Sequence, residues 1–493
     1  MTGEEGDRRR PADVAAAAAG RLARASSKKV TTALGGRERT RVILLLASVL
    51  ALASADSATV GASAIQLRHD LHINNTDVGL LVTVTSLVAA VASVPFGVLA
   101  DRVPRTRLLG GAIVLWGVAM LWSATAPTFG QLLLARLFLG VVTAAAGPIV
   151  ASLVGDWFDS SERGRIYGYI LAGELVGAAF GFSVAGGIAA LSWRASFVIL
   201  ALPAFALAWL VFPLREPTRG GRNPLVSATV KPVAPAAGAE GEEQATDAQR
   251  LARERGIEPD PELVLTHDPS RLGLLDAARY VLSIKTNVAL ILAGAGGYFF
   301  LSGVQTFGVE FVTKQYGIAQ ALSTLVLLAV GAAGVIGVLA GGWLGDFLLH
   351  RGFLNGRILV SAIAATAAVV LFVPAIFTRS PLTALPYISL AAFALSAQNP
   401  PIDAARLDIV HPLLWGRAEG IRTALRTLAQ ATAPLLFGAV SDYVFGGGRS
   451  ALQWTFLLML LPLAASAYFL FKALRTYPRD VATASASTGR SET

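Results

Sequence analysis

Four ionisable residues stand inside otherwise apolar runs: Asp56, Arg136, Glu174 and Arg426. A charged side chain at the centre of a bilayer costs about 2.5–3.5 kcal/mol on insertion scales, so each one kept there points to a pairing, a proton path or a polar ligand. Their depths can be read from position. Asp56 lies fifteen residues past Arg41, and Arg136 six past Gly130. If those two segments enter a core about 30 Å thick from opposite faces, a rise of about 1.5 Å per residue brings both to one level. An acid and a base at one level can form a pair that opens to take up a proton and closes to expel it. Glu174, nine residues past Arg165, and Arg426, nine past Arg417, both fall about 13 Å in, near the midplane. One belongs to each half of the chain, and facing each other across a cavity they would suit an amphiphile with a charged headgroup. Tyr298, Gln305 and Gln430 stand on the same runs as further polar contacts, Tyr298 just after the interrupting glycines Gly294, Gly296 and Gly297. Glu310 is expected near the surface, at the outer end of its run.

The elements that would position these residues are membrane spans. The chain has 493 residues, 54% hydrophobic and only 15% charged. Runs of about 18 or more apolar residues are read as spanning helices, and they occur around 78–100, 108–126, 137–155, 195–214, 318–345, 358–378, 380–402 and 450–471. Four more, near 42–65, 166–191, 287–309 and 416–441, are interrupted by charge and bring the expected number to twelve. Glycines four apart at Gly173, Gly177 and Gly181 let helices approach closely.

Between the second and third runs stands a tight turn, Gly97-Val-Leu-Ala-Asp101-Arg102-Val-Pro104-Arg105-Thr-Arg107. A partial copy, Gly342-Trp-Leu-Gly-Asp346, recurs 245 positions after the first. Self-similarity on the scale of half a chain marks an internal structural repeat, a feature of secondary transporters. Asp101 with Arg102 and Arg105 would hold the turn and face the positive N-terminal end of the eleventh span, with Arg163 as a partner of the network.

The net charge of +9 does not imply nucleic acid, because ten of the Lys and Arg fall in the first 41 residues and others flank the runs. That distribution fits the positive-inside rule and puts both termini in the cytoplasm of a multi-pass protein of the cell membrane. No cysteine is present, and the five histidines are scattered, so neither a disulfide nor a metal site is expected. Without a Gly-Lys pair there is no phosphate loop of the usual kind. No cofactor and no enzyme activity are expected, and transport would run on gradients.

The expected organisation is a disordered basic tail (1–41), a six-helix half (42–214), a cytoplasmic linker ending in an interfacial helix (215–286), a second six-helix half (287–474) and a disordered tail (475–493). The linker from 217 to 268 is rich in Pro, Ala and charge without apolar period, the composition of disorder.

The turn G-x-L-x-D-R-x-x-R resembles the signature loop between the second and third helices of the major facilitator superfamily. Asp346 closes the echo expected between the eighth and ninth, and Arg136-Leu-Phe-Leu-Gly140 is similar to another signature of that family. Pro104 stands where the family usually has Gly. The resemblance implies an all-α fold of twelve transmembrane helices in two pseudo-symmetric halves, working by alternating access with Gly97, Asp101, Arg102, Arg105, Arg163 and Asp346 as the conformational latch. Asn399-Pro-Pro-Ile-Asp-Ala, Leu407-Asp-Ile-Val-His-Pro and Ala433-Pro-Leu-Leu-Phe-Gly-Ala-Val-Ser-Asp442 are similar to the Spinster-like branch, which moves lysophospholipids and sphingolipid-type amphiphiles.

Asp56 and Arg136 fall at that branch's acid and arginine positions. Thr143 stands where the branch has Glu, and Arg426 and Gln430 where it has His and Asp. The resemblance implies proton coupling through Asp56 and Arg136, with Glu174 as substitute for the missing acid, and a lysolipid-like substrate at Glu174, Arg426, Gln305, Gln430 and Tyr298. Its partners would be that substrate, protons and the bilayer, for a monomer. Alternatives are a proton-coupled efflux antiporter for drugs or small hydrophobic solutes, and a non-transporting membrane receptor.

Overall fold

The computed structural model describes residues 36–158, 163–189, 191–217, 246–265, 273–411, 414–448 and 450–490. Helices α1 to α6 form the first half: Arg37–Ala62, Asn75–Arg102, Arg105–Thr125, Phe129–Thr143 continued by Ala146–Trp157, Arg163–Phe180 continued through Gly181–Ala185 to Gly186–Ala189, and Trp193–Val211. Helices α7 to α12 form the second: Lys285–Tyr316, Gln320–His350, Gly356–Phe377, Pro381–Ala397 continued by Asn399–Asp408, Trp415–Ala439 continued by Val440–Val444, and Ala451–Leu458 continued by Leu460–Arg490. Among the described residues, nine of these are long and apolar enough to cross a membrane. The three that fall short are α5 and α11, which carry Glu174, Arg422 and Arg426, and α10, which breaks before Pro400 and Pro401.

Local chemistry sets the ends. Asn74 and Asp77 form a reciprocal capping box at the start of α2, and Thr128 and Ser192 cap α4 and α6. Gly317, left-handed at φ 65°, ends α7. Close packing follows the expected glycines: a Cβ on Gly177 would lie 1.9 Å from the Ala51 carbonyl oxygen, and Gly173 and Gly181 press likewise on Ala47 and Ala55 of α1. In the second half Gly337 and Gly341 of α8 rest on the carbonyls of Phe393 and Ala397 of α10. The interior of that half also holds an edge-to-face aromatic cluster built on Phe300, Phe372, Phe437 and Phe456.

The ends carrying the two turn motifs lie on one side of the bundle, called here the motif end. At the other end the halves are tied directly. Asn75 Nδ2 donates to Ser441 Oγ at 3.0 Å, the Thr76 amide and hydroxyl both donate to Asp442 Oδ2 at 2.6 and 2.7 Å, and Gln320 Nε2 donates to the Ala62 carbonyl at 2.6 Å. Arg68, on the short helix Ala64–Leu71 that extends α1, pairs with Glu310 of α7. Glu310 thus lies toward the end of α7, yet its side chain is not exposed. It is fully buried, because α7 runs on six residues past it and the α1 extension folds over it.

The linker and the C-terminal tail depart from expectation more strongly. Residues 1–35 and 218–245 lie outside the described residues, but Asp247–Glu254 is a helix, capped reciprocally by Thr246 and Gln249, with Ala248, Gln249 and Ala252 buried. The tail continues α12 to Arg490 instead of being disordered, with Tyr477, Val481 and Ala482 buried. The two segments satisfy each other's polar groups. Arg253 donates to Ser485, the Asp260 amide to Thr483 Oγ1 at 2.8 Å, and the Leu265 amide to Ser487 Oγ at 3.0 Å. Gln249 Nε2 donates to the Asp408 carbonyl at 3.0 Å, tying the strap to α10.

This docking has a measurable consequence. Gln249→Ala removes the reciprocal half of the capping box, in which its side chain accepts from the Thr246 amide, and the bond to α10, while the Thr246 cap itself remains. Trypsin cleavage at Arg250, Arg253 and Arg255 should then rise several-fold over wild type. Equal cleavage rates would mean that the strap is held without Gln249.

Candidate functional site

Asp56 of α1 and Arg136 of α4 meet as their depths require. Arg136 Nη1 donates to Asp56 Oδ1 at 2.8 Å and Nη2 to Oδ2 at 3.2 Å, a two-pronged pair with both residues at most 3% exposed. The guanidinium carbon lies 6.0 Å from the Phe197 ring centroid, and Arg136 Nε has no partner. Desolvating two charges is costly unless geometry is good and the remaining donors are satisfied. Here the two-pronged geometry is met but the buried Nε is left unsatisfied. Thr143, where the resemblance expects an acid, turns its hydroxyl to the Gly140 carbonyl at 3.2 Å.

Across the seam between halves, Glu174 of α5 is exposed, with the Ser54 hydroxyl of α1 and the Arg426 charge on α11 as the polar influences on its carboxylate. Arg426 stacks its guanidinium 4.5 Å from the Tyr298 ring centroid, and its buried Nε has no hydrogen-bond partner. The structure thus brings Arg426 and Tyr298 together. Gln430 is half-buried one turn further along α11. Gln305 is exposed on α7 at the seam, where its carbonyl presses on Gly61 of α1.

Beside Arg426 a small cleft of about 10 Å³, room for roughly one water, lies between α7, α10 and α11. Its polar lining is Tyr298, Asn399, Asp403, Arg422 and Arg426. Of these, Asn399, Asp403 and Arg422 were not singled out from sequence, and the charge spacing Arg422 to Arg426, one helical turn, was the signal available.

The motif end is organised by two arginines at matched places. Arg105, the first residue of α3, donates Nε to Glu216 Oε1 at 2.8 Å and Nη1 to Ser152 Oγ at 2.8 Å, and pairs with Asp156 at the end of α4. Glu216 Oε2 also accepts from the Thr106 amide at 2.9 Å. Burial, the largest influence, pushes the Glu216 carboxyl up, but the combined hydrogen bonds from Thr106 and Arg105 outweigh it and hold the group below its ordinary value. Arg357 of α9 repeats the arrangement. It donates Nη2 to Asp346 Oδ1 at 2.7 Å and Nη1 to Asp408 Oδ2 at 2.7 Å, and Tyr477 donates to that same oxygen at 2.6 Å.

These partners differ from the expected latch. Arg105 is spent on Asp156 and Glu216 within its own half, and Arg102 is exposed. Gly97, Asp101 and Arg163 lie outside the residues whose side chains are described.

The comparisons agree with this architecture. By sequence the chain is similar to sugar-acid carriers: the probable L-galactonate transporter of Escherichia coli (strain K12) is 28% identical over 173 residues, 35% of this chain and 38% of that protein. The hexuronate transporter of Bacillus subtilis (strain 168) is 24% identical over 410 residues, 81% of this chain and 87% of that protein. By structure, the chain is similar to a bacterial homolog of the human lysosomal transporter Spinster in an inward-facing, unoccupied conformation, with TM-score 0.71 at 18% identity, covering 90% of this chain and 99% of that one. The family model of the Major Facilitator Superfamily matches residues 44–389, and with two six-helix halves built around paired intramembrane charges the chain belongs to that superfamily of membrane transporters.

Proposed function

We propose that this transporter is proton-coupled and moves an amphiphile with an anionic or zwitterionic, lysolipid-like headgroup by alternating access. The observation that carries the reading is Arg426, stacked on Tyr298 with a buried donor unpartnered, whose charge is felt by Glu174 of the other half. A cation and an anion on opposite halves can hold the two ends of a polar headgroup, and bring the halves together around it. Asp56 and Arg136 are the proton switch. Parted from the guanidinium, the Asp56 carboxylate takes up a proton, and re-pairing expels it. Coupling to cargo then needs only that substrate and proton prefer different states. The basic turns put the motif end in the cytoplasm of a cell membrane, and one chain supplies both halves of the site.

A second reading is favoured by the polar lining of the α7–α10–α11 cleft and by the sugar acids for which the two sequence relatives are named: a small organic acid such as a hexuronate. Liposomes holding purified protein under an imposed pH gradient separate the two. Uptake of lysophosphatidylglycerol over galacturonate is the expected result, and the charge exchange Glu174→Arg with Arg426→Glu should change the ranking of lysophosphatidylglycerol against lysophosphatidylcholine. Galacturonate flux alone would replace the first reading by the second.

A further inference from the structure

We propose that Lys472 and Arg475, exposed on α12 just past the end of its span, form a docking site for the phosphate of an anionic phospholipid in the leaflet at the motif end. The site is separate from the substrate path and does not depend on which substrate is carried.

Its level follows from residue number. Trp454, near the start of α12, and Phe471 are both exposed aromatic residues, seventeen positions apart. At about 1.5 Å per residue they are about 26 Å apart, close to the thickness of the hydrocarbon core, and exposed rings of this kind mark its two interfaces. Lys472 and Arg475 then lie about 1.5 and 6 Å past Phe471, inside a headgroup layer about 5–8 Å deep. Arg479 lies about 12 Å past it, beyond that layer. It is also 3.7 Å from Asp260 of the strap.

The position around the helix agrees with the level. Leu461, Tyr468, Lys472 and Arg475 are all exposed and fall on one stripe of α12. The opposite face buries Leu470, Ala473 and Tyr477 and packs on α7, α9 and the strap. The stripe is therefore turned away from the bundle, apolar along the span and basic where the span ends. Asp480, the acid of this stretch, is turned inward and accepts from the Thr286 amide at 2.9 Å. Among the described residues, neither Lys472 nor Arg475 has an acidic partner. The backbone beneath them is held as well. Pro478 has no N–H for the Leu474 carbonyl, and Asn355 Nδ2 donates to that oxygen at 3.2 Å instead, so the helix continues past the proline to Arg490.

Three residues apart on a helix, Lys472 and Arg475 are surface neighbours and can share one phosphate, the ammonium as a point charge and the guanidinium through paired N–H donors. A zwitterionic lipid brings the same phosphate with its own cation beside it, which competes with the two side chains. An anionic headgroup is the better fit.

The test is native mass spectrometry of the purified full chain titrated with phosphatidylglycerol, with phosphatidylcholine of the same acyl chains, and with glycerol 3-phosphate as competitor. A basic residue near an anionic leaflet is worth about fivefold in affinity, so the first phosphatidylglycerol should bind about tenfold or more tighter than the first phosphatidylcholine. Lys472→Gln and Arg475→Gln should each weaken phosphatidylglycerol about fivefold, and the two together about tenfold or more, whereas Arg479→Gln should change it less than about twofold. Melting temperature and phosphatidylcholine binding should stay at wild-type values in all of them, because the substituted side chains are exposed. An equal loss in Arg479→Gln would assign the effect to diffuse positive charge and overturn the site. Equal affinity for the two lipids, or wild-type phosphatidylglycerol binding by the double variant, would overturn it too. Displacement by glycerol 3-phosphate at the concentrations at which the lipid binds would replace the lipid with a soluble anion.

Discussion

Asp56→Asn is expected to abolish accumulation of substrate against its gradient while leaving downhill exchange within a few-fold of wild type. The amide keeps the shape of the carboxyl and one acceptor for Arg136, but it can neither bind nor release a proton at working pH. The variant therefore stays in the protonated-like form, in which cargo still moves but no proton moves with it. Arg136→Gln should behave differently, because it strands a carboxylate that is only 3% exposed. Removing one partner of a buried pair costs about 3–5 kcal/mol, so this variant should lose thermal stability in detergent as well as transport. Joining Asp56→Asn to Arg136→Gln removes the stranded charge, and the double variant should regain much of the stability without regaining accumulation. Flux under an imposed pH gradient and melting temperature together read the outcome. Undiminished uphill transport by Asp56→Asn, with loss in Glu174→Gln, would move the proton site to α5.

That pair was legible in the sequence because depth along a straight spanning helix is linear in residue number, and two helices entering from opposite faces need only arithmetic to place Asp56 and Arg136 at one level. Depth along the helix did not reveal that the Glu310 side chain is buried. It measured distance from the end of an apolar run, whereas α7 continues to Tyr316 and the α1 extension folds over the site, so burial came from a neighbour remote in sequence. Arg105 and Glu216 are likewise 111 positions apart, and composition carries no sign of their meeting. Polar composition misled in the linker for a different reason. Disorder follows when a segment has nothing to bury, but here one polar segment docks on another. The serine and threonine hydroxyls of 483–487 take the donors of 253–265. Thr246 and Gln249, spaced as a capping box ahead of two alanines four apart, were the available sign of a docked helix.

The largest effect at the other end of the bundle is expected from Glu310→Gln. Glu310 is fully buried and shared by two cations, Arg68 from the first half and Lys314 from one turn along its own helix, the latter at 2.6 Å. Only the Arg68 contact crosses between halves, so only it bears on whether this end opens. Neutralising the carboxyl leaves both cations without their anion, but each keeps about a quarter of its side chain exposed, 24% for Arg68 and 28% for Lys314, and hydration offsets much of the loss. A net change of about 1.4 kcal/mol is a tenfold shift in the balance between closed and open. The absence of cysteine from the chain makes a clean reporter possible. Val78 is fully buried one residue past the Asp442-linked turn of α2, so a Val78→Cys background should react with an impermeant maleimide only when that end opens. In that background Glu310→Gln and Arg68→Gln should both raise the labelling rate about tenfold. Lys314→Gln should raise it far less, because its contact lies within α7 and gives nothing across the seam. Equal acceleration by Arg68→Gln and Lys314→Gln would show that the charge balance at Glu310, and not the bond between halves, keeps this end shut.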